Sequence, residues 1–115
     1  MHRQKYAEIV DDSPQVARGR ERALLLNVVA KLDQAKRSGV ASRDAVEAIY
    51  YLRRVWSALL VDLSHEDNAL PDSLRASLIS IGLWINREAD LVDSGKSSNF
   101  DGLIEINRMI ADGLV

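Results

Sequence analysis

Few side chains in this sequence are suited to covalent or acid-base chemistry. His2 and His65 are the only histidines, and there is no cysteine. Without cysteine the chain has no disulfides, thiolate zinc sites or cysteine nucleophiles. No nucleophile-elbow motif is present to place a serine for attack. We therefore expect no catalytic residue and no enzyme activity.

The acidic stretch from Asp62 to Asn68 offers several oxygen ligands. A calcium-binding loop would need a glycine at the position of Asp67 and a glutamate at the position of Ser73, and the sequence has neither. The sequence also lacks zinc-ligand spacing and a glycine-rich phosphate loop. The stretch is therefore predicted to be a solvated acidic turn, and we expect no metal and no cofactor.

Basic residues are concentrated in the first part of the chain. Residues 1–43 contain nine Lys or Arg against five Asp or Glu, whereas residues 44–115 contain six against twelve. Arg18, Arg20 and Arg22 are able to meet phosphates, but residues 12–43 contain no aromatic side chain on which a base could stack. Solvated helix faces explain the pattern better than nucleic-acid binding does.

The composition predicts one globular domain over residues 1–115. Hydrophobic residues make up 47 % of the chain and charged residues 28 %, as in proteins that fold around a core. No apolar run approaches the roughly 20 residues needed to span a bilayer, and the first residues form no apolar signal segment. We expect a cytoplasmic protein without membrane contact.

Helix caps and apolar periodicity predict an all-α fold, a four-helix bundle or a close variant. The first helix should begin at Ser13-Pro14 and end at Gly39. The second should begin at the cap Ser42 and run to about Leu63. The predicted inner stripes are Leu25, Val28, Val29 and Leu32 for the first helix, and Ala45, Ile49, Leu52, Trp56, Leu59, Leu60 and Leu63 for the second.

Two more helices follow the acidic turn. The third should start at Pro71 and end at Gly95, and the fourth should be capped by Ser97 or Ser98, with Ser98 and Asp101 at capping-box spacing, and end at Gly113. The predicted stripe of the fourth helix is Phe100, Leu103, Ile104, Ile110 and Leu114. Residues 1–11 give no clear pattern: Tyr6, Ile9 and Val10 fit a short docked segment, whereas amino-terminal segments are commonly mobile.

The third helix is too apolar for one face. At 100° per residue, a core stripe of Leu74, Leu78, Ile81, Ile85, Ala89 and Val92 leaves a surplus of Ile79, Leu83, Trp84 and Leu91. Such a helix is either buried on all sides or partly covered by a partner. Gly82 costs about 1 kcal/mol relative to alanine in a helix, which favours a close helix-helix contact inside the protein.

Three sequence elements resemble the flagellar biosynthesis regulator FlaF of α-proteobacteria. They are the run from Asn68 to Glu88 containing Ile81-Gly82-Leu83-Trp84, the run Asn99-Phe-Asp-Gly-Leu-Ile-Glu-Ile, and Asp112-Gly-Leu. The resemblance extends to Ser42-Arg-Asp-Ala-Val-Glu-Ala-Ile ahead of Trp56 and covers nearly the whole chain. It implies a small cytoplasmic protein required for flagellin production and secretion, with flagellin as its partner and the regulator FlbT acting with it or against it.

A role as a secretion chaperone fits the surplus apolar surface, because the terminal regions of flagellin are amphipathic before assembly and an amphipathic helix binds by laying its apolar face in a groove. The hypothesis is a flagellin-binding groove lined by the third and fourth helices, with apolar contacts and one polar rim contact at Ile79, Leu83, Trp84, Arg87, Leu91 and Phe100. Two alternatives remain: a post-transcriptional regulator that uses the basic first helix to contact RNA or another regulator, and a homodimeric structural module.

Overall fold

The computed structural model describes residues 14–113 and contains four helices. They are α1 (Pro14–Ser38), α2 (Arg43–Ser64), α3 (Asp72–Asp93) and α4 (Phe100–Asp112). The all-α prediction is confirmed, since this part of the chain has no strand. The expectations for residues 1–11, for Ser13 as a cap and for Leu114 lie outside the described residues.

The helix ends follow local chemistry. Ser42 caps α2, because its Oγ accepts the Ala45 N–H at 3.1 Å. Beyond the ends of α1 and α3, Gly39 and Gly95 have φ of 103° and 75°, the left-handed region that glycine enters without a steric penalty. The predicted ends at both glycines and the predicted start at Ser42 are therefore confirmed.

The predicted cap of the last helix is wrong. Asn99, and not Ser97 or Ser98, stands at the cap position of α4, and its Oδ1 accepts the Gly102 N–H at 3.0 Å. The asparagine side chain lies so close that a Cβ on Gly102 would be 2.5 Å from its Nδ2. Glycine at position 102 thus leaves room for the asparagine cap.

Helix α1 packs against both α4 and α2, and α2 packs against α3, so the spatial order is α4, α1, α2, α3. Arg53 joins α2 to the last turns of α3, with its Nη2 at 2.6 Å from Asp90 Oδ1 and 3.0 Å from Asp93 Oδ2. In the last turn of α1, Lys36 Nζ lies 2.7 Å from Asp101 Oδ1 in the first turn of α4. The two outer helices of this arrangement, α3 and α4, make few backbone contacts with each other.

The core contains the whole predicted stripe of α1 and most of the stripe of α2. The buried apolar residues of these two helices are Leu25, Val28, Val29, Leu32, Ala35, Ala45, Ala48, Ile49, Leu52, Val55, Trp56 and Leu63. Leu59 and Leu60 of the predicted α2 stripe are half-buried. Helix α4 contributes Phe100, Leu103, Ile104 and Ala111.

The core stripe predicted for α3 is only half correct. Ile85, Ala89 and Val92 are buried, but Leu74 is 45 % exposed, and Leu78 and Ile81 are half-buried. Gly82 faces Leu60 in an antiparallel pair, so the end of α2 lies near residue 78 and Leu74 extends past it. The first turn of α3 therefore extends past the end of α2, which leaves Leu74 without cover from that helix.

Gly82 allows the close approach of α2 and α3 that the sequence predicts. A Cβ at this position would be 2.6 Å from Leu60 Cδ2 and 3.0 Å from its Cγ. An alanine would gain helix propensity, but it would have to displace most of the Leu60 side chain.

We predict strong coupling between Gly82→Ala and Leu60→Ala. Because removal of the leucine side chain makes room for the new methyl group, Gly82→Ala should be more favourable in the Leu60→Ala background than in the wild type, by about 1–2 kcal/mol. Urea unfolding of the four proteins in the cycle gives this coupling energy. Additive effects of the two substitutions would contradict the close contact.

A buried hydrogen bond connects α2 and α4 through the core. Trp56 is 1 % exposed, and its Nε1–H donates to Asn107 Oδ1 at 2.7 Å. Asn107, which is fully buried, also donates from Nδ2 to Leu103 O at 2.8 Å. Both polar side chains are thus satisfied, as buried polar groups must be to avoid a desolvation cost.

Asn107→Ala should lower the free energy of unfolding by about 2–4 kcal/mol, because it leaves a cavity and an unpaired indole N–H. The double variant Trp56→Phe, Asn107→Leu removes both polar partners and should be less destabilised than the sum of the two single variants. Urea or thermal unfolding measures Asn107→Ala, the double variant and its two single variants, Trp56→Phe and Asn107→Leu. If the double variant is destabilised by as much as the two single variants together, the hydrogen bond adds nothing beyond packing.

Candidate functional site

A groove runs between the facing sides of α3 and α4, the two helices that the spatial order leaves apart. It has a volume of about 450 Å³. Four large apolar residues line it: Ile81, Trp84, Ile106 and Met109. The rest of the lining is two small residues, Ser80 and Gly102, and one carboxylate, Glu105. Its floor is continuous with the core, because Ile81, Trp84 and Ile106 pack against core residues. The groove therefore presents apolar surface that is anchored at its base.

The six residues predicted as contacts occupy three different environments. Trp84 lines the groove. Leu83 (49 % exposed), Leu91 (40 % exposed) and Arg87 are on the outer surface of α3, and Ile79 is half-buried. Phe100 is only 3 % exposed and belongs to the core. A core residue cannot contact a partner on the folded surface, so Phe100 is removed from the contact set.

The sequence reasoning missed the α4 wall of the groove. Ile106 and Met109 lie outside the stripe predicted for that helix, and Met109 is 61 % exposed. The available signal was the one used for α3, namely large apolar residues off the core-facing stripe. Applied to α4, it identifies both residues.

A larger cleft of about 880 Å³ lies between α1 and α2, and its lining is mixed in chemistry. Tyr50 and Tyr51 of α2 line it together with Arg20 and Glu21 of α1. Lys31 Nζ is 5.2 Å from the centre of the Tyr51 ring. The fold thus brings aromatic rings beside the basic first helix, which the sequence argument against nucleic acid had not foreseen.

Two carboxylates in this cleft oppose a phosphate ligand. Burial raises the pKa of Glu21 above its ordinary value, and the neighbouring Asp62 raises it further, while Arg20 and Arg18 act in the opposite direction. Asp62 also lines the cleft. Volume alone would favour this cleft, but the α3/α4 groove has the more uniform apolar lining, as expected of a site for an amphipathic helix.

Residues 14–113 contain no cluster of three or more His, Asp or Glu side chains able to hold a metal ion. None of the four described helices is long and apolar enough to cross a membrane.

Comparison with protein families gives a match that covers nearly the whole chain. The model of the family described as flagellar protein FlaF matches residues 2–114. The chain belongs to the FlaF family. No curated protein and no solved structure matched the chain significantly. Family membership therefore establishes a flagellar protein, and the FlaF fold in this chain is the four-helix arrangement described above.

The raised pKa of Glu21 predicts a pH-dependent effect of Glu21→Gln. A raised pKa means that ionised Glu21 is less favourable in the folded state than in the unfolded chain, so stability falls as pH rises through the folded pKa. Glu21→Gln should therefore raise the urea midpoint at about pH 7 and raise it less at about pH 4, where the carboxyl is largely protonated in both states. Glu47→Gln, at an exposed position of α2, is the control. A larger gain for Glu21→Gln at the lower pH would contradict the assigned cause.

Proposed function

We propose that this FlaF-family protein is a non-enzymatic binding protein that holds unassembled flagellin and supports its synthesis and export. The observation that carries the proposal is the apolar groove between α3 and α4, whose walls the protein's own helices leave uncovered. Family membership supports the flagellar context. The choice of flagellin as the partner rests on what the family resemblance implies.

The dimensions of the groove suit a short helix. Its α4 wall runs from Gly102 to Met109, which corresponds to about 11 Å at 1.5 Å per residue. An amphipathic helix of two turns or more covers this length and presents about one apolar residue per turn to the groove. Trp84 and Met109, on opposite walls, would contact such a stripe from both sides.

The exposed apolar side chains of α3 extend the surface beyond the groove. Leu83 and Leu91 are in the second half of the helix, and Arg87 lies between them in sequence and is exposed. Leu91 and Trp84 are two turns apart on nearly the same side of the helix. We propose that these residues form the rim around the bound helix, with Arg87 as the polar contact.

The two alternatives differ in the surface that they would use. Binding of RNA or of a second regulator would use α1, and the homodimeric module would use the α3/α4 groove for a second copy of the chain. A substitution in the groove should leave the first alternative unaffected and disrupt the second. Measurement of both flagellin binding and self-association therefore separates the three possibilities.

Met109→Asp should weaken the binding of purified flagellin by about tenfold or more, because the complex would bury a carboxylate against apolar side chains. Leu83→Asp should have a smaller effect of the same sign, because Leu83 lies on the outer surface of α3. Val46→Asp, at an equally exposed apolar position of α2, is the matched control. Titration calorimetry with flagellin as the titrant measures all four proteins.

Unchanged affinity in Met109→Asp and Leu83→Asp would rule out this groove, and absence of binding by the wild type would rule out flagellin as its ligand. Sedimentation of each free protein at several concentrations tests for self-association. A dimer that dissociates in Met109→Asp and not in Val46→Asp would support the homodimeric module instead.

A further inference from the structure

The surface formed by α3 and α4 is acidic. These two helices contain seven Asp or Glu and three Arg. Helix α1, by contrast, contains two Asp or Glu and six Lys or Arg. The charge that a ligand meets at the α3/α4 groove is set by those acids that the protein does not pair itself, and these favour a positively charged partner.

Several of these acids are already occupied within the protein. Asp90 and Asp93 both bind Arg53, and Asp101 binds Lys36. On α3, Glu88 accepts a hydrogen bond from the Ser97 hydroxyl at 3.1 Å. These four carboxylates stabilise the fold or its loops and are less available to a ligand.

Glu105 differs from the other acids in its position. It is the one charged residue that lines the groove, and it is exposed. Within residues 14–113 it has no ion-pair partner at 4.0 Å or less. Arg108, one turn further along α4, does not line the groove, but it lines a second hollow on α4 together with Asp112 and Glu105 itself.

We propose that the groove selects an amphipathic helix that has Lys or Arg beside its apolar stripe, on the flank that faces α4, and that Glu105 is the group that recognises this charge. The inference rests on the proposed function, since it specifies the chemistry of the segment that the same groove binds. Apolar contacts along the groove exclude water from the pair, so the attraction exceeds that of an exposed surface pair. An acidic flank would be repelled by Glu105 and rejected.

Two synthetic helical peptides of 14 residues test the inference. Both have the same apolar stripe at positions i, i+3, i+4 and i+7, and they differ only in two flanking residues, which are Lys in one and Glu in the other. The wild type should bind the Lys peptide about three- to tenfold more tightly in dilute buffer, and the ratio should shrink in concentrated salt. Fluorescence anisotropy of labelled peptides gives both affinities.

Charge reversal at position 105 provides the decisive comparison. Glu105→Lys should reverse the preference, so that the Glu peptide binds more tightly. Glu66→Lys changes the net charge equally but lies in the turn between α2 and α3, and it should retain the wild-type preference. A preference unaffected by Glu105→Lys, equal binding of both peptides by the wild type, or binding of neither would overturn the inference.

Failure of the inference is distinguishable from failure of the proposed function. If flagellin binds and Met109→Asp abolishes that binding while the peptide preference is absent, the groove binds flagellin without charge selection. If the peptide preference and its reversal are observed while flagellin does not bind, the groove selects a basic amphipathic helix from another protein.

Discussion

The hydrogen bond from Trp56 to Asn107 is the interaction on which the arrangement of the helices depends. It joins α2 to α4 through the centre of the core, although these helices are not neighbours in the order α4, α1, α2, α3. An indole N–H buried at 1 % exposure must have an acceptor, so α4 has one favourable register and one favourable rotation. With α4 held in this way and α3 held to α2 by Arg53 and the Gly82 contact, the two outer helices stay apart. The groove between α3 and α4 is therefore a consequence of the contacts that position these two helices on the core.

The sequence was sufficient to predict most of the fold, because its signals are local. Ser42, Gly39 and Gly95 set helix ends through hydrogen bonds and φ angles that depend only on neighbouring residues. The stripes of α1 and α2 are continuous, and each has one buried face. The error at the start of α4 has the same local origin, since Ser97, Ser98 and Asn99 are all competent caps. The choice between them depends on the room that Gly102 leaves for the asparagine side chain.

The candidate site was only partly predictable, because it depends on how far each helix extends past its neighbour. Periodicity placed Leu74 and Ile85 in one stripe, yet only Ile85 has a helix opposite it. Phe100 and Met109 are both large apolar side chains of α4, but Phe100 faces the core and Met109 faces the groove. Asn107 lies four residues after Leu103, on the inner side of α4. Because its side chain is polar, the apolar periodicity did not identify it as a core residue. Whether each of these residues is buried depends on the distances between helices that are remote in sequence. The spacing of residues along the chain does not determine those distances.

The glycines within the two most characteristic sequence elements both serve the protein's own architecture. Gly82, within Ile81-Gly82-Leu83-Trp84, faces Leu60, and Gly102, within Asn99-Phe-Asp-Gly, leaves space for the asparagine cap. The residues that make the family recognisable thus serve both the fold and the groove, because Ile81, Trp84 and Glu105 of the same two elements line the groove. Proteins that share both elements would therefore share most of the groove lining, and Met109 is the lining residue that lies outside them.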